Sequence, residues 1–329
     1  MKPLSMIRWM ARLGALLCMG MAGLAQGQST KFVFLTNWLA QAEHGGFYQA
    51  VAEGTYRRHG LEVEVRMGGP QINVLQLLLA GQVDAAMGYD LQVIKGIEQG
   101  LPLVTVGATF QKDPVVLIAH PPASSLRDLK SRTLLIGQAS ETTFWPWAKT
   151  KYGFTDEQKR PYAFSVQPFL VDKNVVQQGY ATSEPYSIEK AGVKPVVFLL
   201  ADEGYPPYAQ TIVVLERTLK EKPAAIKQFL QATAEGYKSY LANPAPGNGL
   251  IKKANPEMED ALLAFGLQRI KDYELVTGGD AKKLGILTMS DARWKQTFEF
   301  MVSAGLVKPS VDYKKAYSLD LVKQIKVIP

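Results

Sequence analysis

The chain has 329 residues, of which 47% are hydrophobic and 20% are charged, and it carries a formal net charge of +7. This is the composition of a globular protein with enough apolar residues for one large core or two medium-sized ones. The basic residues form no block, and lysine alternates with glutamate along most helical stretches, a pattern that does not favour nucleic-acid binding.

The first 27 residues have the order of a cleaved export signal. Three basic residues precede the stretch LGALLCMGMAGLA, which is too short to span a bilayer comfortably. Small residues at Ala25 and Gly27 suit the −3 and −1 positions of a signal-peptidase site. We therefore predict that residues 1–27 are a signal peptide, that the mature chain starts near Gln26 or Gln28, and that the protein is periplasmic. The alternative is an uncleaved membrane anchor.

Removal of this segment changes the chemistry of the chain. Cys18 is the only cysteine, so the mature protein would have neither a disulfide nor a thiol. The segment also contains three basic residues and no acidic ones, and its loss takes the formal charge from +7 to +4.

Strands and helices alternate over the first part of the mature chain. The strand KFVFLTNW is followed by an amphipathic helix over roughly 44–59, which Gly60 ends, and by the alternating strand LEVEV. A helix around INVLQLLLAGQ, the strand VDAAMGY, a helix ending near Gly100 and the strand LPLVTVGATF come next. This alternation predicts βαβ crossovers and a mostly parallel sheet.

The same alternation resumes later and predicts a second α/β lobe. The strand RTLLIGQA precedes a tryptophan-rich helix, the strand YAFSVQPF, a helix over DKNVVQQ, the stretch GYATSEPY and the strand KPVVFLLAD. Two β-branched runs, DPVVLIAHPP and YAQTIVVLERTL, flank this block, and we interpret them as the strands that connect the lobes.

After about Thr218 the pattern is almost wholly helical, as in KPAAIKQFLQATAEGYKSYLAN and DARWKQTFEFMVSAG. We therefore predict an α/β fold with two lobes and a two-strand hinge, the second lobe inserted into the first. The expected boundaries are 28–115 for the first part of lobe 1, 116–209 for lobe 2, and 210–329 for a mostly helical second part of lobe 1.

The residues typical of catalysis are scarce. The three histidines, His44, His59 and His120, have no metal-ligand spacing, and the chain has no nucleophile elbow and no Walker loop. Only His44 lies at a predicted strand-to-helix loop, where it either lines a cleft or packs. We predict no catalytic residue, no cofactor and no metal.

Aromatic and hydrogen-bonding residues, in contrast, cluster at four predicted strand ends. Ligands of such folds bind where the carboxyl ends of parallel strands meet the amino ends of helices, and this mixture of residues suits a small-molecule pocket. The candidate ligand-binding residues are Asn37, Trp38, His44, Tyr89, Asp90, Ser140, Thr142, Thr143, Trp145, Glu184 and Tyr186.

Three stretches resemble a known family. NWLAQAEHGGFYQAVAEGTYRRHGLEVEVRMGGP, LLLAGQVDAAMG and QQGYATSEPYSIEKAG are similar to the extracytoplasmic solute-binding proteins of ABC importers. The resemblance covers nearly the whole mature chain and is strongest to the branch that is similar to thiamine-pyrimidine synthesis proteins and includes nitrate, taurine and sulfonate binders. The cysteine-rich motif of the synthase members is absent, which favours transport over synthesis.

The resemblance implies a periplasmic-binding-protein (type II) fold whose lobes close on a ligand and present it to a membrane permease with its ATPase. We expect a monomer that binds a small flat heterocycle such as a thiamine-precursor pyrimidine. Trp38 would stack on the ring, while Asn37, Asp90 or Glu184 would pair with its edge. The Ser140–Thr143 turn would present hydroxyl groups, and at most one of Trp145 and Trp147 would contact ligand.

Two alternatives remain open at this point. The first is a small anion, such as a sulfonate, nitrate or an aromatic carboxylate, for which Lys112 and Lys173 are the possible cations. The second is a secreted enzyme on the same two-lobed fold, because a fold by itself does not determine function.

Overall fold

A computed structural model of the chain describes residues 29–69, 72–137, 140–141, 143–163 and 165–329. The predicted export signal and Thr142 lie outside these residues. Within them, no helix combines the length and the apolar content that crossing a membrane requires.

The strands alternate with helices through the first two thirds of the chain. They are β1 (Thr30–Leu35), β2 (Leu61–Arg66), β3 (Ala85–Gly88), β4 (Leu103–Phe110), β5 (Val115–Ala119), β6 (Thr133–Ile136), β7 (Lys159–Pro161), β8 (Val175–Tyr180), β9 (Val196–Leu199) and β10 (Ala209–Leu215).

Helices fill the connections and most of the last third. They are α1 (Gly45–Ala52), α2 (Thr55–Arg58), α3 (Val74–Leu79), α4 (Asp90–Glu98), α5 (Phe144–Tyr152), α6 (Gln167–Val171), α7 (Glu184–Lys190), α8 (Glu216–Glu221), α9 (Pro223–Ala242), α10 (Ala245–Ala254), α11 (Asp260–Asp272), α12 (Ala281–Leu284) and α13 (Asp291–Ser303). Short 3₁₀ turns occur at Ala42–His44, Leu126–Leu129, Asp156–Gln158, Tyr313–Ala316 and Val322–Gln324.

Two five-stranded sheets share one topology. The first has the order β2-β1-β3-β10-β4 and the second the order β7-β6-β8-β5-β9. In each sheet the first three strands are parallel, and the fourth runs antiparallel to both of its neighbours. Each sheet with its helices forms one lobe, which agrees with the predicted α/β fold of two lobes.

The two β-branched runs that were interpreted as connecting strands form β5 and β10. These strands do not pair with each other, because each is the antiparallel strand of a different sheet. The chain passes between the lobes in the segments just before them, at 111–114 and at 200–208. We call these two segments the crossing segments.

One guanidinium group contacts both crossing segments. Arg293, on α13, donates to the Gln111 carbonyl at 3.0 Å and to the Pro207 carbonyl at 3.5 Å, and its Nε donates to the Pro206 carbonyl. Its guanidinium also lies over the ring of Tyr208, 5.0 Å from the centroid. The C-terminal helices therefore hold the connection between the lobes as well as covering the first lobe.

Aromatic stacking forms the centre of the first lobe. The alternation in β1 turns Phe32 and Phe34 to the buried face, where Phe32 stacks on Phe229 of α9 at 4.7 Å and Phe34 stacks on Phe47 of α1 at 4.4 Å between ring centroids. In the same lobe, the antiparallel strand β10 and the edge strand β4 are buried along their whole length, as is the antiparallel strand β5 of the second lobe.

Glycines allow α1 and α9 to approach closely. A Cβ atom at Gly46 would lie 2.2 Å from the Tyr237 ring, and one at Gly236 would lie 2.3 Å from the Gly46 carbonyl oxygen. The Tyr237 hydroxyl donates to the Glu43 carbonyl at 2.7 Å. Because no side chain fits between the helices, the glycine pair of the stretch HGG has a packing role.

Two local predictions were wrong. The single helix expected over 44–59 is divided into α1 and α2, with Gly54 between them at a φ of 67°. The stretch DKNVVQQ, predicted as a helix, contributes to strand β8, and the short helix α6 begins inside the stretch predicted as the strand YAFSVQPF and ends before β8. Val175 and Val176 are buried in the sheet, so β-branched packing determined the structure of this stretch.

We predict that Gly46→Ala destabilises the first lobe. The added methyl group must displace the Tyr237 ring, and overpacking of this kind costs about 1–3 kcal/mol. Urea unfolding followed by circular dichroism measures the loss. Gly249→Ala, in α10, is the matched control, since its Cβ meets nothing within 4 Å and alanine favours a helix by roughly 0.5–1 kcal/mol. Equal stabilities for the two variants would contradict the packing role.

Candidate functional site

A cavity of about 390 Å³ lies between the two lobes. Its volume is in the range of small-molecule sites, roughly 300–1,000 Å³. Four strand ends line it: Asn37 and Trp38 follow β1, Tyr89 follows β3, the segment beginning at Gly137 follows β6, and the segment beginning at Ser183 comes after β8. All four strands are in the parallel parts of their sheets, so their carboxyl ends meet at the cavity.

Aromatic side chains make up much of the cavity wall, and both lobes contribute them. Those of the first lobe follow β1 and β3, and those of the second come from α5, β8 and the segment after β7. They are Trp38, Tyr89, Phe144, Tyr162 and Tyr180. All of these rings offer flat apolar faces, and the three tyrosines add hydroxyl groups at their edges. Such a surface is suited to a planar ligand.

Two tyrosines join the lobes across the cavity. The hydroxyl groups of Tyr89, in the first lobe, and Tyr180, in the second, are hydrogen-bonded to each other. The Asn37 side-chain amide donates to the Tyr89 hydroxyl at 3.5 Å. The Oδ1 atom of Asn37 is buried and accepts no hydrogen bond from the described residues, which leaves an acceptor at the cavity wall.

Two carboxyl groups line the cavity, and they differ in their hydrogen bonding. Glu184 accepts from the Tyr180 backbone N–H at 2.7 Å, from the Ser183 hydroxyl and from the Tyr162 hydroxyl at 3.1 Å. Asp113, by contrast, accepts from the Val115 backbone N–H at 3.0 Å. Burial raises the pKa of Asp113 to about 7.

The cavity carries no positive charge from the described residues, since none of the side chains that line it is a lysine, arginine or histidine. None of the residues after position 29 that the structure does not describe is basic. A site for a sulfonate or nitrate normally presents arginine or lysine to the anion.

The structure places six of the predicted ligand-binding residues at this cavity. They come from all four of the strand ends named in the sequence, and they are Asn37, Trp38, Tyr89, Ser140, Thr143 and Glu184. Four others lie elsewhere: His44, Asp90, Trp145 and Tyr186.

Helix α5 directs its tryptophans away from the cavity. Trp145 is 1% exposed, its Nε1 donates to Asp156 at 2.8 Å, and its ring stacks on Phe154. Trp147 packs against Tyr205 at 5.2 Å between centroids. The helix begins at Phe144, and this ring takes the cavity position that a tryptophan was expected to have.

Asp90 supports the structure near the cavity. One carboxylate oxygen accepts from the Tyr208 backbone N–H at 2.9 Å and from the Thr297 hydroxyl at 3.2 Å, while the other accepts from the Leu91 N–H. Burial raises the pKa of this carboxyl to about 6. Asp90 thus ties the start of α4 to the second crossing segment and to α13.

His44 and Tyr186 also pack within the protein. His44 is fully buried, and burial lowers its pKa to about 4, which keeps the imidazole neutral at physiological pH. The Tyr186 ring lies 5.5 Å from that of Phe265 on α11. The described residues contain no group of three or more metal-ligating side chains.

The two lysines considered for an anion do not line the cavity. Lys112 pairs with Asp202 at 2.8 Å, and Lys173 is exposed after α6. Sequence reasoning missed Asp113, Tyr162, Gln178 and Tyr180. Asp113 stands directly before the run PVVLIA, where a charged residue next to a buried strand is a detectable signal.

A buried carboxyl group also contacts the opposite lobe. Glu43, in the 3₁₀ turn before α1, accepts from the hydroxyl of Thr182 in the second lobe. Glu43 is 1% exposed, and burial raises its pKa to about 7. The protonated carboxyl group therefore fits this interface better than the carboxylate.

We predict that Glu43→Gln flattens the pH dependence of stability. Because the folded pKa of Glu43 exceeds its unfolded value, its contribution is full below pH 4.5 and is lost as the pH rises through about 7. Urea unfolding at pH 5 and pH 7.5 should show the wild type losing about 1–3 kcal/mol more than the variant.

Other buried groups change the wild-type curve without changing this difference. Asp90 and Asp113 act in the same direction as Glu43, whereas the depressed pKa of His44 favours the fold as pH rises from about 4. Glu259→Gln, at an exposed carboxylate paired with Lys190, is the matched control and should follow the wild type. A Glu43→Gln curve parallel to the wild type would refute the prediction.

The fold and the cavity between the lobes define a protein with the periplasmic-binding-protein fold. The chain belongs to the NMT1/THI5-like family, whose model matches residues 41–246, more than half of its length. It is 26% identical over 309 residues to the riboflavin-binding protein RibY of Chloroflexus aurantiacus, covering 91% of this chain and 88% of that protein. It is 24% identical to the formylaminopyrimidine-binding protein of Halalkalibacterium halodurans, covering 74% and 79%.

Solved structures share the fold at low sequence identity. The periplasmic aliphatic sulphonate binding protein SsuA from Escherichia coli superposes with a TM-score of 0.65 at 15% identity, covering 87% of this chain and 91% of that one. The desulfurization enzyme DSZB superposes with a TM-score of 0.57 at 11% identity, covering 90% and 98%. The fold therefore occurs in binding proteins and in an enzyme.

Proposed function

We propose that the chain is the substrate-binding component of an ABC importer and captures a small flat nitrogen heterocycle between its lobes. The observation that carries this proposal is the cavity itself, which presents five aromatic side chains and two carboxyl groups and no basic side chain from the described residues. Rings supply stacking surfaces, while Asn37 and the carboxyl groups supply acceptors for N–H groups at the ring edge.

The relatives support the same ligand class. Riboflavin and formylaminopyrimidine, the ligands in the names of the two similar proteins, both contain flat nitrogen heterocycles. The proposal extends to export into the periplasm, delivery to a membrane permease with its ATPase, and function as a monomer. Closure of the lobes would bury the ligand and create the arrangement that the permease recognises.

The anion alternative has less support from the cavity. A desolvated sulfonate or nitrate would meet Asp113 and Glu184 without a compensating cation, and unpaired charges of one sign in a buried site are costly. An enzyme of the same fold would be revealed by product formation, because a binding protein returns its ligand unchanged.

Native mass spectrometry of freshly purified protein tests the proposal most directly. We expect a co-purified small molecule, or else binding of riboflavin or a formylaminopyrimidine added from a panel that also contains taurine and nitrate. Selective binding of taurine or nitrate would establish the anion alternative. Steady conversion of a panel compound would establish the enzyme alternative.

We predict that Trp38→Ala weakens binding of the heterocycle by tenfold or more. Stacking of one ring on an aromatic side chain contributes roughly 1–3 kcal/mol, and about 1.4 kcal/mol corresponds to one decade in Kd. Isothermal titration calorimetry provides the measurement. Tyr313→Ala is the control, since that ring stacks on Phe298 away from the cavity and its loss should leave Kd nearly unchanged.

The opposite pattern would contradict the stacking model. If Trp38→Ala binds normally while Thr143→Ala abolishes binding, hydroxyl groups rather than ring faces hold the ligand. Hydrogen bonds to a charged group are roughly twice as strong as those to a neutral one, so that result would favour an anion.

A further inference from the structure

Asp113 is a carboxyl group in the wall of the cavity with unused hydrogen-bonding capacity. It lies in the first crossing segment, is 5% exposed and lines the cavity. Its Oδ1 accepts from the Val115 N–H, and no basic side chain of the described residues pairs with it. Glu184, by comparison, accepts hydrogen bonds on both oxygens and is engaged in holding Tyr162 and the start of α7.

The groups that face Asp113 disfavour its negative charge. Asp113 raises the pKa of three neighbouring phenols, those of Tyr89, Tyr180 and Tyr205, which therefore stay neutral beside it. Burial, to which the nearby carboxyl group of Asp90 adds, raises the pKa of Asp113 itself to about 7. At neutral pH the carboxyl group is thus poised between its acid and its carboxylate form.

The nearby cations are already engaged. Lys112 pairs with Asp202, and Arg293 donates to the carbonyl of Gln111 at 3.0 Å. The Oδ1 atom of Asn37, which accepts no hydrogen bond from the described residues, adds a further acceptor to the cavity. A ligand that fills the cavity must therefore bring its own N–H donors, because buried acceptors without partners are costly.

We propose that Asp113 is a specificity-determining residue that pairs with an amidine-like edge of the ligand, in which an amino group stands beside a basic ring nitrogen. The amino N–H donates to one carboxyl oxygen, and one proton is shared between the other oxygen and the ring nitrogen. This inference rests on the proposed function and narrows its ligand class to amino-substituted heterocycles.

The shared proton makes binding depend on pH. Below pH 7 the protonated carboxyl group donates to the neutral ring nitrogen, and binding requires no exchange of protons with water. Above pH 7 the free carboxyl group is ionised, so binding of a neutral ring takes up one proton. The affinity should then fall by about tenfold for each further pH unit, as linkage requires for one proton.

Titration calorimetry with a 4-aminopyrimidine and its 4-methyl counterpart, at pH 6, 7, 8 and 9, tests the pairing. Two buffers of different ionisation enthalpy at each pH report the number of protons taken up. We expect the wild type to bind the amino compound with uptake approaching one proton at pH 8 and above. The 4-methyl compound should bind at least tenfold more weakly, since it offers no N–H donor to the second carboxyl oxygen of Asp113.

The variant Asp113→Asn tests the role of the proton separately from that of the hydrogen bonds, because asparagine does not titrate. Its amide keeps the acceptor for Val115 and a donor and acceptor for the ligand edge, so binding should persist with no proton uptake and no fall in affinity above pH 7. Asp202→Asn, at an exposed carboxyl group paired with Lys112 near the same crossing segments, is the matched control and should keep the wild-type profile.

Two results would overturn the role of Asp113 while leaving the proposed function intact. One is heterocycle binding by the wild type without proton uptake at pH 8. The other is an Asp113→Asn profile that retains the wild-type pH dependence. Failure to bind any heterocycle of the panel, with normal folding, would instead reject the proposed function and this inference together.

Discussion

The hydrogen bonds that satisfy the two crossing segments determine how the lobes face each other. The chain leaves the first lobe at 111–114 and returns at 200–208, and the first of these segments lines the cavity through Asp113. Buried backbone groups there need partners. Asp113 accepts from Val115, Asp90 accepts from Tyr208, and Arg293 donates to carbonyl groups of both segments. These bonds satisfy the backbone at the points where the chain changes lobe.

This constraint also explains the chemistry of the cavity. Asp113 accepts a backbone hydrogen bond from Val115 at the cavity wall, and burial raises its pKa to about 7. Glu43 makes a similar contact outside the cavity, between the turn before α1 and Thr182. The contacts between the lobes thus include tyrosine hydroxyls and a buried carboxyl group whose hydrogen bonding depends on its protonation.

Much of the fold could be predicted from the sequence because apolar runs and glycines carry strong local signals. The strand ends that hold Asn37, Trp38 and Tyr89 were identified, since parallel strands bring their carboxyl ends to one edge. The sequence could not show that Phe144, rather than Trp145 or Trp147, lines the cavity, because this depends on the exact residue at which α5 begins. Asp113 was missed because its position directly before a connecting strand does not reveal that this segment lines the cavity.

The shared topology of the sheets has a consequence for the order in which the lobes fold. The second sheet is made from one continuous stretch, β5 to β9, whereas the first needs β10, which follows that entire stretch. All eight residues of β4 are buried in the folded protein. During synthesis they have no partner strand until β10, which ends at Leu215, has been made. Unpaired apolar strands promote aggregation. The first lobe to begin is therefore the last to close, and the nascent chain must be kept from associating until the second lobe has been made.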